Sequence, residues 1–175
     1  MRGPSIGLRE KEPAMKKQGL IAGFALAAAM ALSPYGISAA SGAGQTIGDK
    51  AADGTVYAGV WTLYPGLSDD EHRPLYTTPA DAPGIYEWDD AMIYCTELKT
   101  GGHHDWHAPS EGELAVLFSN RAAIGGFNTS GTRPTGWYWS STTIEDLGGY
   151  EQRFSDGYQN FNHKLVTNSS LRCVR

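Results

Sequence analysis

The stretch WDDAMIYCTELKTGGHHDWHAPSEGELAVLF, residues 88–118, decides the fold, because it carries two helices with their start and stop signals. In its first part Trp88, Ala91, Met92, Cys95 and Leu98 recur at spacings of three and four, which gathers them into one apolar stripe. Glu87, Asp89 and Asp90 fall in the first turn, where the helix dipole favours negative charge, and Gly101-Gly102 stops the helix. In the second part Ser110 and Glu113 are spaced as a capping box behind Pro109, and Leu114, Leu117 and Phe118 make the buried stripe. Gly125-Gly126 ends this second helix.

Upstream of the helices, Val56 to Leu63 is β-branched and aromatic and reads as a strand. Residues 41–55 are small and polar, a leader into the domain. Tyr64 to Gly84 holds four prolines and the charged run Asp69 to Arg73, which predicts a loop with a short strand at Leu75 to Thr78. Downstream of Phe127 the helical period is lost. Trp137 to Thr142, Tyr150 to Phe154, Tyr158 to Val166 and Ser170 to Arg175 are short strand-like runs separated by Gly, Asp and Asn. Strand, two helices and then several strands predict an α+β domain over residues 56–175. Its two helices pack on a small, mainly antiparallel sheet with long loops, and its N- and C-terminal strands are adjacent.

The amino-terminal segment has a different composition. Lys16-Lys17 precede an apolar run from Gly19 to Leu32, followed by small residues up to Ala40, which is the pattern of a secretory signal peptide. The run of 14 is too short for a bilayer-spanning helix, which needs about 20 residues. Residues 1–40 are therefore assigned to a signal peptide, with 1–14 as an upstream mis-start if Met15 is the true initiator. Beyond residue 40 there are 9 basic and 17 acidic side chains, a charge of −8, which argues against a nucleic-acid or anionic-lipid footprint. In an oxidising compartment the isolated pair Cys95 and Cys173 reads as a disulfide, the alternative being two free buried thiols.

Several ordered motifs carry a resemblance. Asp53 to Gly59, the Trp88…Ala91…Cys95…Leu98 stripe, Gly102 to Ser110 with Glu113-Leu114, Tyr138-Trp139-Ser140-Ser141 and Leu171-Arg172-Cys173-Val174-Arg175 together resemble the Lcl C-terminal domain family of bacterial secreted proteins. The resemblance implies a C-type-lectin-like fold and a disulfide between the first helix and the last strand. It also implies structural roles for Asp105, Trp106 and Pro109, with the Asp accepting backbone N–H bonds and the Trp in the core. Where the family shows Asp-Trp-Arg-x-Pro-Thr, this chain has His107, which removes a fixed charge and a bidentate donor. None of the calcium- and sugar-binding motifs of calcium-dependent lectins is found, so the fold does not by itself imply lectin activity.

Function is expected in the stretch from Tyr150 to Asn168, which mixes aromatic rings with amide and imidazole groups as recognition surfaces do. The candidate ligand-binding residues are Tyr150, Gln152, Tyr158, Asn160, Phe161, Asn162 and His163, flanked by Trp137 and Tyr138. Some proteins similar to this one are variable targets of diversity-generating retroelements, and Tyr158, Asn160, Phe161, Asn162, His163 and Leu165 are all reachable from an Asn codon by adenine substitution. Family adhesin domains recognise sulfated glycans, but the acidic charge here favours a protein or neutral glycan on a cell surface. The product is read as secreted, periplasmic or surface-located, without stable membrane insertion after cleavage. The alternative is a structural surface or appendage subunit, which leaves an oligomer open. His103, His104, Asp105 and His107 supply ligand types for a transition metal, but their place between a helix stop and a helix cap favours structural roles, so no metal or cofactor is assigned. With no Gly-x-Ser-x-Gly elbow and both cysteines given to a bridge, no enzymatic activity is expected.

Overall fold

β1 (Val56–Thr62) and β2 (His72–Thr77) pair antiparallel, with Val56 opposite Thr77 and Thr62 opposite His72. The computed structural model describes residues 44–62, 72–145, 148–165 and 167–175; the signal peptide assigned to 1–40 lies outside them. β2 is longer than the expected Leu75 to Thr78, because cross-strand pairing with β1 extends it back through the proline at 74.

The helices follow their local signals. α1 (Trp88–Glu97) buries Ala91 and Cys95, carries Asp89 and Asp90 in its first turn, and gives way to a single 3₁₀ turn at Thr100–Gly102. α2 (Glu111–Ser119) starts on the expected capping box: the Glu113 N–H donates to Ser110 Oγ, and the Ser110 N–H donates to Glu113 Oε2 at 2.8 Å. The second helix does not run unbroken to Gly125. It breaks at Asn120, and a short α3 (Arg121–Ile124) follows. The reason is tertiary: Asn120 Nδ2 donates to the Ala58 carbonyl of β1 at 2.8 Å. Gly59 makes room for it, since a Cβ there would stand 2.9 Å from that amide nitrogen, and its φ of +124° is one that glycine tolerates.

β3 (Trp137–Ile144), β4 (Gly148–Arg153) and β5 (Gln159–His163) form an antiparallel meander in that order. β5 is shorter than the Tyr158 to Val166 run read from sequence, and it pairs on one side only among the described residues. Among the described residues there are thus two small sheets where one was expected, and a mixed α+β class as expected. No helix among the described residues is long and apolar enough to cross a membrane.

Residues 169–175 join the parts. They make single bridges and no regular strand: Ser170 to Tyr138, and Val174 to both Thr77 and His107. The terminal strands are therefore not neighbours, because β2 lies between β1 and the last segment, where Tyr76 and Arg175 exchange backbone hydrogen bonds. Alternation along this segment feeds two cores. Leu171 and Cys173 pack with Ala91, Cys95, Trp106 and Trp139, and Cys173 is bonded to Cys95 across 78 positions. Val174 packs with Val56, Leu75, Leu114, Leu117, Tyr138 and Phe154. The fully buried Arg172 stacks 4.0 Å over Phe127 at the margin of that second core.

Candidate functional site

The β4–β5 hairpin brings part of the expected surface together. Tyr158, Phe161 and Leu165 are 55%, 43% and 57% exposed, large values for side chains of this kind at a sheet edge. His163 is also exposed, while Tyr150, Asn160 and Asn162 are half-buried. The register divides them. Trp137, opposite Arg153, lies on the same side as Glu151, Asn160 and Asn162; Tyr150, Phe161 and His163 lie on the other. Because β5 is an edge strand, both groups border the same rim.

On the first side an aromatic and cationic cluster forms. Arg133 stacks 4.0 Å over Trp137, Arg153 stands 5.3 Å from both Trp137 and Tyr158, and the two rings meet edge to face at 6.1 Å. Arg153 is clamped by Asp156, its Nε donating to Oδ1 at 2.8 Å. Beneath them the buried Glu151 accepts a two-pronged hydrogen bond from Arg133, and further bonds from Asn162 Nδ2 and Ser169 Oγ. On the second side Tyr150 and Phe161 pack edge to face at 6.0 Å. The Phe161 ring lies directly over Gly148, where a Cβ would come within 1.6 Å of it.

Two expected contact residues belong to the interior. Tyr138 is fully buried; its hydroxyl donates to Asp81 Oδ2 at 2.6 Å and accepts from the Asn128 N–H, and burial followed by the Asp81 hydrogen bond pushes its ionisation well above the usual range. Gln152 sits opposite it in the sheet, is also buried, and donates to the Gly157 carbonyl at 3.1 Å. Trp137 is largely covered, by Arg133 and Arg153. Residue type suggested none of this, because an aromatic ring serves a core as readily as a surface. Arg133, Glu151 and Arg153 were not among the expected residues, because nothing local to a charged side chain says that it will stack on a ring or accept a buried guanidinium. The signal present was the spacing of Glu151 and Arg153, two apart like Trp137 and Trp139, which antiparallel pairing sets opposite them.

The histidines do not converge. His103 bonds Asp53 at 2.6 Å, and His107 bonds Glu113 at 3.2 Å, while His104 is exposed. Among the described residues no group of three His, Cys, Asp or Glu could share an ion. The hydrogen bond from His103, and then those from Thr55, hold the Asp53 carboxyl well below the usual carboxylate range. Glu113 raises the His107 imidazole above its ordinary value. Burial pushes Glu113 up, and hydrogen bonds from His107 and Ser110 outweigh it, leaving the carboxyl low. Trp106 is buried with its indole N–H on the Thr100 carbonyl, and Pro109 is buried beside the cap. Asp105 differs from the implied role of accepting backbone N–H bonds: its carboxylate is on the surface, 3.6 Å from Arg175.

A cavity of about 360 Å³ opens where β1, β2, α2 and the 105–107 and 173–175 segments meet. Its walls come from residues scattered from Trp61 to Arg175, and no local pattern announces it.

None of the curated proteins compared matches the sequence. A family model described as the Lcl C-terminal domain matches residues 59–175, which runs from within β1 through β2, α1, α2, α3 and the β3–β5 sheet and includes the disulfide. That family and the Cys95–Cys173 bridge point to an extracellular or surface protein. The chain belongs to the Lcl C-terminal domain family.

Proposed function

We propose that the domain is an exported ligand-binding module, adhesin-like or receptor-like, and that it recognises a protein or neutral glycan through the β5 edge. The observation that carries this is the row of exposed apolar side chains formed by Phe161 on β5 with Tyr158 just before the strand and Leu165 just after it, beside a strand whose outer side is unpaired among the described residues. The row is pre-organised. Tyr158 is braced by Trp137 and Arg153, and Phe161 by Tyr150 and the bare backbone of Gly148, so little side-chain freedom is lost on binding. Trp137, Tyr138 and Gln152 support this edge from behind. Sequence diversification fits the same geometry, since Tyr158, Asn160, Phe161, Asn162, His163 and Leu165 all reach solvent and could vary without disturbing either core. The reading assigns no catalysis and no cofactor to the edge.

The experiment is a glycan and cell-surface protein array probed with the purified chain, repeated with Tyr158→Ala and Phe161→Ala. Each substitution is expected to weaken a positive signal by roughly thirtyfold, the effect of an aromatic hot spot worth about 2 kcal/mol. Sedimentation separates this from a structural-subunit role. A monomer that loses binding while keeping its stability supports recognition; an oligomer that falls apart on the same substitutions refutes it.

A further inference from the structure

The cavity bounded by β1, β2 and α2 has a lining that selects a ligand chemistry. One wall is apolar: Trp61, Pro74 and Leu75 come from the β1–β2 ladder, where Val60 faces Pro74 and Gly59 faces Leu75. The indole of Trp61 rests against Gly112 of α2, whose Cβ position would be 3.5 Å from the ring, so the wall is fixed in place. The other wall holds Arg175, and this arginine is incompletely satisfied. Its Nη1 stands 3.6 Å from Asp105 and its Nη2 3.8 Å from Asp53, beyond hydrogen-bond length, and its buried Nε–H has no acceptor among the described residues. The backbone exchange between Arg175 and Tyr76, and the ring of Tyr76 5.0 Å from the guanidinium, hold it where it is.

A guanidinium with spare donors calls for a carboxylate. The cavity walls also contain the carboxylates of Asp105 and Glu113, the Arg73 guanidinium, opposite Trp61 in the ladder, and the His107 imidazole. Side chains of both signs therefore face the space, which suits a ligand carrying both charges better than a multiply charged anion. Glu113 is engaged by His107 and Ser110, whereas the Asp105 side chain is 64% exposed and faces Arg175. Asp105 and Arg175 thus present opposite charges a few ångströms apart, beside an apolar wall. The carboxylate and ammonium of an α-amino acid leave one carbon in the complementary arrangement, and its side chain would lie on Trp61. The volume is within the range of about 300–1,000 Å³ typical of small-ligand pockets.

We propose that this cavity binds a free α-amino acid with an apolar side chain, its carboxylate on Arg175, its ammonium on Asp105 and its side chain against Trp61, Pro74 and Leu75. This site is separate from the β5 edge and does not depend on that reading. The test is calorimetric titration of the whole chain with L-phenylalanine and L-leucine, beside phenylacetate and phenethylamine, which each lack one charge. Saturable one-to-one binding of the amino acids is expected, with both single-charge analogues weaker by at least about tenfold, since each lacks one charged hydrogen bond. Asp105→Asn, at an exposed position, is expected to weaken phenylalanine binding by about tenfold with the melting temperature unchanged. Arg175→Lys keeps the charge without the fork and should weaken it too. No amino-acid binding at millimolar concentration, phenylacetate binding as tightly as phenylalanine, or an unaffected Asp105→Asn variant would each overturn the proposal. Tyr158→Ala should leave this titration unchanged.

Discussion

Replacing Arg172 tests the account of the core most directly. Its side chain is fully buried, and its guanidinium donates Nε to Asp81 at 2.8 Å, Nη1 to the Thr78 carbonyl at 2.7 Å, and Nη2 to the carbonyls of Gly125 and Gly126 at 3.3 and 2.7 Å. Removing it takes the donor from three main-chain carbonyls, leaves the Asp81 carboxylate with the Tyr138 hydroxyl but without its cation, and takes the plane off Phe127. Breaking one partner of such a buried pair costs about 3–5 kcal/mol, less than the sum of four charged hydrogen bonds because the contacts are not independent. Against a total stability of about 5–15 kcal/mol that is a large share. Urea unfolding followed by tryptophan fluorescence, with the disulfide intact, should show a loss of this size for Arg172→Met. A smaller loss is expected for Arg172→Lys, which keeps the charge but cannot satisfy the planar set of acceptors. A loss under about 1 kcal/mol for the Met variant would mean that the core does not depend on Arg172, contrary to this expectation.

Three other outcomes follow from the same geometry. Replacing both Cys95 and Cys173 by Ala should lower stability by about 4 kcal/mol, the chain-entropy value for a loop of this length, and denaturant titration under non-reducing conditions measures it. For the His107–Glu113 pair, the raised imidazole contributes stability that is complete below its unfolded value of 6.5 and is lost as pH rises through the folded value. The lowered Glu113 carboxyl contributes above 4.5 and is lost as pH falls through its folded value. The urea midpoint should therefore be highest between those two limits and decline on either side, and His107→Gln should flatten the alkaline decline; an identical decline in the variant would assign it to other groups. Gly148→Ala should push the Phe161 ring off the sheet, giving ligand loss comparable to Phe161→Ala with a stable fold, as read by binding and circular dichroism in parallel.

What could be read in advance was what is written locally. The capping box of α2, the stripe of α1 and the Cys pair need only neighbouring residues, or the redox compartment, to be recognised. The break at Asn120 needed β1, because the amide leaves the helix for a carbonyl 62 positions earlier. The placing of residues 171–175 was equally out of reach: alternation says that Leu171 and Cys173 share a side, but not that β2 stands between them and β1. Arg172 and Glu151 are of types that avoid interiors, and only the acceptors and donors assembled around them make their burial stable. At the candidate edge, Tyr158 and Phe161 were identifiable by type and context. Tyr138 shares that type, and its place in the core is fixed by Asp81 and Asn128, which lie far from it in sequence or in a loop of no regular pattern.

The segment that serves both cores also sets an order of events. Synthesis runs from residue 56 toward 175, and until residues 171–174 arrive one core lacks Leu171 and Cys173 and the other lacks Val174. Neither half can be finished early. Such a chain becomes fully compact only once residues 171–174 have joined both cores. The Cys95–Cys173 bond, which needs both partners side by side in one of these cores, can therefore form only at that last stage, so that compaction and oxidation belong to one event.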